Sequence, residues 1–300
     1  MPAVLCRLQH PSCVHGAAWV DEETAVIDVD AMANTAFVGV NRAWLFMGLG
    51  VNCANDPQSV NFNLPDSDYL RLLPDELPEA EMLEAKAEFG IWIVSNGLRE
   101  LIDTFDVFLG QVYAAALTVE AWSAARAGLD VDSGSMQRRA QAFSRLGTEK
   151  RLARLDRDFE ITGEYTADVN SMRRARNCLT HRLGVVGPED VGRDGFLALH
   201  WHTLELFGIN KDGSEFVPSL DDLPIKFPEA SPVNMRHVPR ERRLFLGERL
   251  VLAPGELKHI CYTFRLGIDQ VRLSFVAYAE RMGVQNIKPS HQPTADIAST

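Results

Sequence analysis

ADVNSMRRARNCLTHRLGVVG, residues 167 to 187, is the stretch on which the reading of the fold turns. Val169, Met172, Ala175 or Arg176, and Leu179 recur at three- and four-residue spacing, the period of a helix with one buried face. Thr166 or Asp168 can cap its start and Gly184 follows as a natural stop, so the spacing predicts a helix to about Leu183. Its last two turns carry Arg176, Asn177 and His181. Asn177 and His181 stack one turn apart, while Arg176 lies beside Thr180, roughly 140° around the axis from the imidazole. One regular helix focuses both groups on a single phosphate only through the long arginine stem; a second copy of the helix removes that restriction.

These residue types suit phosphodiester cleavage without a metal. A histidine titrating near neutrality serves as general acid or base, and a guanidinium holds two nonbridging phosphate oxygens at once. Asn177 either fixes the imidazole's orientation or contacts the phosphate. The pattern Arg-Asn-x-x-x-His is expected about 0.03 times by chance in a chain of this composition, so it is moderately specific.

Arg176-Asn177-x-x-x-His181, followed by Arg182-x-Gly184 and a small apolar run, resembles the signature of HEPN domains (higher eukaryotes and prokaryotes nucleotide-binding). The resemblance spans residues 81 to 187 and a returning helix near the C-terminus, with the first eighty residues outside it. It implies an antiparallel helical bundle and a homodimer whose signature helices meet at a shared cleft. It also implies a metal-independent endoribonuclease that leaves a 2′,3′-cyclic phosphate, needs no cofactor and takes RNA as substrate. The catalytic set would be Arg176, Asn177 and His181, with Arg173, Arg174 and Arg182 holding substrate; an inhibitory protein partner is a further expectation.

Composition sets the remaining bounds. Three hundred residues, 46% hydrophobic and 24% charged, suffice for a substantial core and one or two domains. No uncharged apolar run approaches the roughly eighteen residues of a membrane helix, and MPAVLCRLQHPSC has no secretory pattern, so a cytoplasmic location is expected. Five scattered cysteines make no disulfide framework. Cys6, His10, Cys13 and His15 lack a standard zinc spacing, which favours idle thiols over a metal site. The net charge of -11 argues against a polyanionic partner, yet Met136 to Arg182 holds eleven Lys and Arg against six Asp and Glu. That basic segment either meets a local anion or forms a solvated helix face.

Along the chain, Ala25-Val26-Ile27 and Ala36-Phe37-Val38-Gly39-Val40 read as short strands or irregular packing, and Asn41 to Gly50 as a brief helix. Prolines at 57, 65, 74 and 78 mark a linker. A helix from 81 to about 127 comes next, open to breaks at Gly90, Gly97 and Gly110, then a basic helix over 136–156. After Pro188, FLALHWHTLELFGINKDGSEFV alternates with period two about Asn210-Lys211-Asp212-Gly213, predicting a β-hairpin with His200 and His202 on one face. A proline-rich connection, a strand over Leu244 to Leu252, a helix over 256–282 and a disordered tail from 284 complete the expectation. The fold class is thus mainly α, a bundle with a small β insertion at 188–253 before the last helix. The alternative to a nuclease is a non-catalytic scaffold or a nucleotide-binding module on the same bundle. In the scaffold reading Arg176 pairs with Glu100 or Asp103 and His181 satisfies a helix-end carbonyl.

Overall fold

A computed structural model describes residues 5–8, 25–58, 77–192, 194–218 and 232–287. Among these the chain forms six helices: α1 (Val29–Asn55), α2 (Glu79–Arg126), α3 (Ser133–Ser144), α4 (Thr148–Phe159), α5 (Thr166–Arg182) and α6 (Pro254–Arg281). Strands β1 (Leu5–Leu8), β2 (Ala25–Asp28) and β6 (Gln285–Ile287) make one antiparallel sheet in the order β2-β1-β6. Strands β3 (Phe196–Ile209), β4 (Glu215–Phe216) and β5 (Asn234–Phe245) make the other, in the order β4-β3-β5, between α5 and α6. The expected class, mainly helical with a small antiparallel insertion ahead of the last helix, is the class found.

Contacts gather the chain into two compact units, one of residues 1–40, 102–166 and 265–300, the other of 41–101 and 167–264. In the first, Asp28 caps α1 by accepting the N–H of Ala31 at 2.8 Å. Tyr113 of α2 lies buried against Phe143 of α3, ring centres 3.9 Å apart, and gives its hydroxyl proton to Asp158 of α4 at 2.9 Å. Asp158 also accepts from Arg154 and Arg157. Arg139 pairs with Glu120 at 2.8 Å, and Arg151 donates to the carbonyls of Ser144, Leu146 and Asp106. Four arginines of the basic segment are therefore held by partners within this unit.

The second unit carries the end of α1, the start of α2, nearly all of α5, the β4-β3-β5 sheet and the start of α6. Gly97 sits where an added Cβ would collide with the side chain of Met47, and Gly50 where it would meet Ile93 at 2.7 Å, so the two helices approach closely there. At these positions glycine permits packing and does not break the helix.

Several expectations are corrected. Residues 36–40 are helical: Val29, Ala33, Ala36, Val40, Ala43 and Met47 are buried at alternating four- and three-residue steps, a seam of mostly small side chains that hides helical periodicity. The helix expected at 41–50 thus extends to Val29–Asn55. α2 is unbroken through its glycines, and the basic helix is two, parted at Gly147, the extended N-cap of α4. The proline-rich connection ends by Pro232; residues 234–239 are already strand, and that strand stops at Phe245 because Gly247 turns with φ +85°. Gln285–Ile287 pairs with β1, so the tail begins later than 284. Three expectations lie outside the described residues: the linker over 59–76, the tail beyond 287 and, apart from Cys6 in β1, the Cys/His group near the N-terminus.

Candidate functional site

α5 buries Asp168, Val169, Ser171, Met172, Ala175, Cys178 and Leu179, so its inward face contains the apolar stripe expected from spacing. Opposite runs a polar stripe of Asn170, Arg174, Asn177 and His181, at intervals of four, three and four residues. His181 and Arg174 are exposed, and neither holds a hydrogen bond or ion pair among the described residues. Asn177 is half-buried and accepts from Nη1 of Arg176 at 3.3 Å, while Arg176 stands half-buried on the flank. The signature groups therefore occupy the solvent side and flank of the helix end, and Arg173 is half-buried beside them. His181 does not cap a helix-end carbonyl, and Glu100, one partner foreseen for Arg176, is paired with Arg42.

Arg182 is placed differently. Its Nε donates to Oδ2 of Asp190 at 2.6 Å and its Nη2 to Oδ1, a two-pronged grip on a carboxylate whose side chain is 2% exposed. The N–H of Gly187 adds a third bond at 2.9 Å. Burial alone would raise the Asp190 pKa, but the bonds from Arg182 and Gly187 outweigh it and hold the carboxyl below its ordinary range. Beside it the buried thiol of Cys178 is pushed up to about 12, chiefly by burial and then by the Asp190 charge, which makes it inert at neutral pH. Arg182 thus ties the end of α5 to the following turn. That turn begins at Leu183, with φ 52°, and Gly184, whose N–H satisfies the carbonyl of Cys178.

The histidine pair on β3 finds its partners at the other end of α5 and on α6. Nδ1 of His202 stands 3.0 Å from Oδ2 of Asp168, and the N–H groups of His200 and His202 donate to the hydroxyls of Ser171 and Thr263 at 2.8 and 2.9 Å. Burial raises the Asp168 pKa, with the nearby imidazoles of His202 and His200 drawing it partly back. Sequence reading foresaw Asp168 as a cap and the histidines as sharing a face; the pairing of the two came only with the fold. Asp190 was missed as well, its one sequence signal being an acidic residue eight positions past an arginine. Among the described residues no group of three or more His, Cys, Asp or Glu is placed to hold a metal ion. Comparisons with family models, with curated proteins and with solved structures return no match.

Proposed function

We propose that the chain is a metal-independent endoribonuclease working through Arg176, Asn177 and His181, with the signature helices of two copies brought together at one cleft. The observation that carries this reading is the exposed His181 imidazole, without a partner among the described residues, in line with Arg174 and one turn beyond Asn177, with Arg176 on the flank. An imidazole open to solvent is placed to take one proton and give another, the two transfers that RNA cleavage requires. The arginine neutralises charge on the phosphorane, and the 5′-oxygen leaves protonated, with the 2′-oxygen closed onto phosphorus. Substrate contacts fall to Arg174 and Arg173, since the guanidinium of Arg182 is occupied by Asp190.

The test is cleavage of a single-stranded RNA in EDTA by the wild type and by Arg176→Ala and His181→Ala. The expected loss is on the order of 100-fold or more in each variant; wild-type rates in both would remove the assignment. The internal pairing of Arg139, Arg151, Arg154 and Arg182 favours a second reading, a bundle that binds partners without chemistry. RNA retained in a binding assay but never cut would select it.

A further inference from the structure

Two adjoining hollows open on the second unit. One, of about 180 Å³, is lined by Trp44, Met47, Gly48 and Val51 of α1 and by Leu257 and Lys258 of α6. The other, of about 190 Å³, is walled by Ile91 and Val94 of α2, Leu179 of α5, and Leu250 and Leu252 of the segment before α6. Val51 and Pro254 border both, so the hollows are neighbours along one groove that a flexible chain can follow across these two residues. Each exceeds the roughly 150 Å³ at which an apolar cavity accommodates a benzene-sized hydrocarbon.

The groove carries charge at one place on its wall. Lys258 is the sole charged residue lining it, is exposed, and holds no ion pair among the described residues. The neighbouring carboxylate, Glu256, is engaged by Arg242 at 3.0 Å and by the N–H of Ala253 at 2.7 Å. Burial, and after it the charges of Lys258 and Arg240, lower the pKa of the adjoining His259. Asn52 adds an amide to the rim. Gly48 keeps the first hollow open: a Cβ built there meets nothing within 4 Å.

We propose that this groove binds a free medium-chain carboxylic acid, its chain lying along both hollows and its carboxylate on Lys258. Charge complementarity selects the head group, because an anion meets an unpaired ammonium there and a cation meets repulsion. Apolar burial selects the chain, and each methylene that enters should tighten binding about fourfold. The site is independent of the nuclease reading, since none of its residues belongs to the Arg176–Asn177–His181 set.

Titration calorimetry of the full chain with octanoate, decanoate and dodecanoate, each below its micellar concentration, tests it. Expected are saturable one-to-one binding, a two- to fourfold gain per methylene until the groove is filled, and decyltrimethylammonium at least tenfold weaker than decanoate. Gly48→Leu, which fills open space without a clash, should abolish decanoate binding at unchanged melting temperature, and Lys258→Glu should reverse the head-group preference. Absence of saturable decanoate binding, equal affinity for the two head groups, or undiminished binding in Gly48→Leu would overturn the proposal. Co-sedimentation with anionic phospholipid vesicles that survives Gly48→Leu, with no binding of the free acid, would assign the preference to a lipid surface and overturn it equally.

Discussion

At the scale of single residues, two arginines six positions apart on α5 have opposite fates. Arg176 remains on the polar flank near Asn177, whereas Arg182 closes on Asp190, and nothing in their immediate sequence separates them. The difference lies beyond the helix end, where Gly187, Pro188 and Glu189 turn the chain so that Asp190 returns under α5. The pair should behave as an acid-sensitive tie. Because the folded-state pKa of Asp190 is depressed, its contribution is fully present above the unfolded carboxylate value near 3.9, roughly, and is lost as pH falls through the folded value. Asp190→Asn should cost about 2–3 kcal/mol at pH 7, read from urea unfolding. The gap from wild type should narrow below about pH 4, as the native carboxyl also becomes neutral. A gap unchanged at low pH would make the contact one of shape and not of charge.

At the scale of elements, the β4-β3-β5 sheet poses a problem that its neighbours solve. β4 pairs only with Gly208 and Ile209, which leaves most of one edge of β3 without a strand among the described residues. Ser171 of α5 and Thr263 of α6 accept from that edge, at His200 and His202, and pass their own protons to the carbonyls of Asp168 and His259. Pro239, opposite His202, fits the same logic: the His202 N–H points away from β5, so the missing proline N–H falls on the outer edge and costs no ladder bond. Ser171→Ala and Thr263→Val should each destabilise by about 1–3 kcal/mol. In hydrogen exchange the amides of His200 and His202 should lose protection while those of Leu199 and Trp201 keep it; uniform loss along β3 would mean that the hydroxyls do not hold the edge. Much of this level was legible in sequence. Large apolar residues at helical spacing located α2, α5 and α6, and period-two alternation about Asn210 and Gly213 located the hairpin. The alanine seam of α1 was not legible, because Ala33, Ala36 and Ala43 bury little area each and resemble neutral filler. Nor were Ser171 and Thr263, whose role exists only once a strand edge arrives beside them.

At the scale of the whole molecule, charge decides how an anionic substrate can be met. The chain carries -11, and within the segment that looked basic in sequence Arg138, Arg139, Arg154 and Arg157 are paired with Glu120, Asp132 and Asp158. On α5, with Arg182 engaged by Asp190, the cations near the signature are three, Arg174 exposed and Arg173 and Arg176 half-buried. RNA bound there should therefore release few counterions. With about two or three phosphates neutralised, the slope of log affinity against log salt should lie near -2, roughly, for a single strand. The acidic remainder adds a second signature. Screening reaches about 8 Å at physiological salt but about 30 Å at 0.01 M, so lowering the salt exposes RNA to the repulsion of the entire chain as well as to the attraction of one helix. Affinity for a single-stranded RNA, followed by fluorescence anisotropy from 10 to 300 mM salt, should rise as salt falls and then level off or decline below about 30 mM. A straight line of slope -5 or steeper down to the lowest salt would require more cations than α5 presents, and would move the RNA-binding surface away from the signature helix.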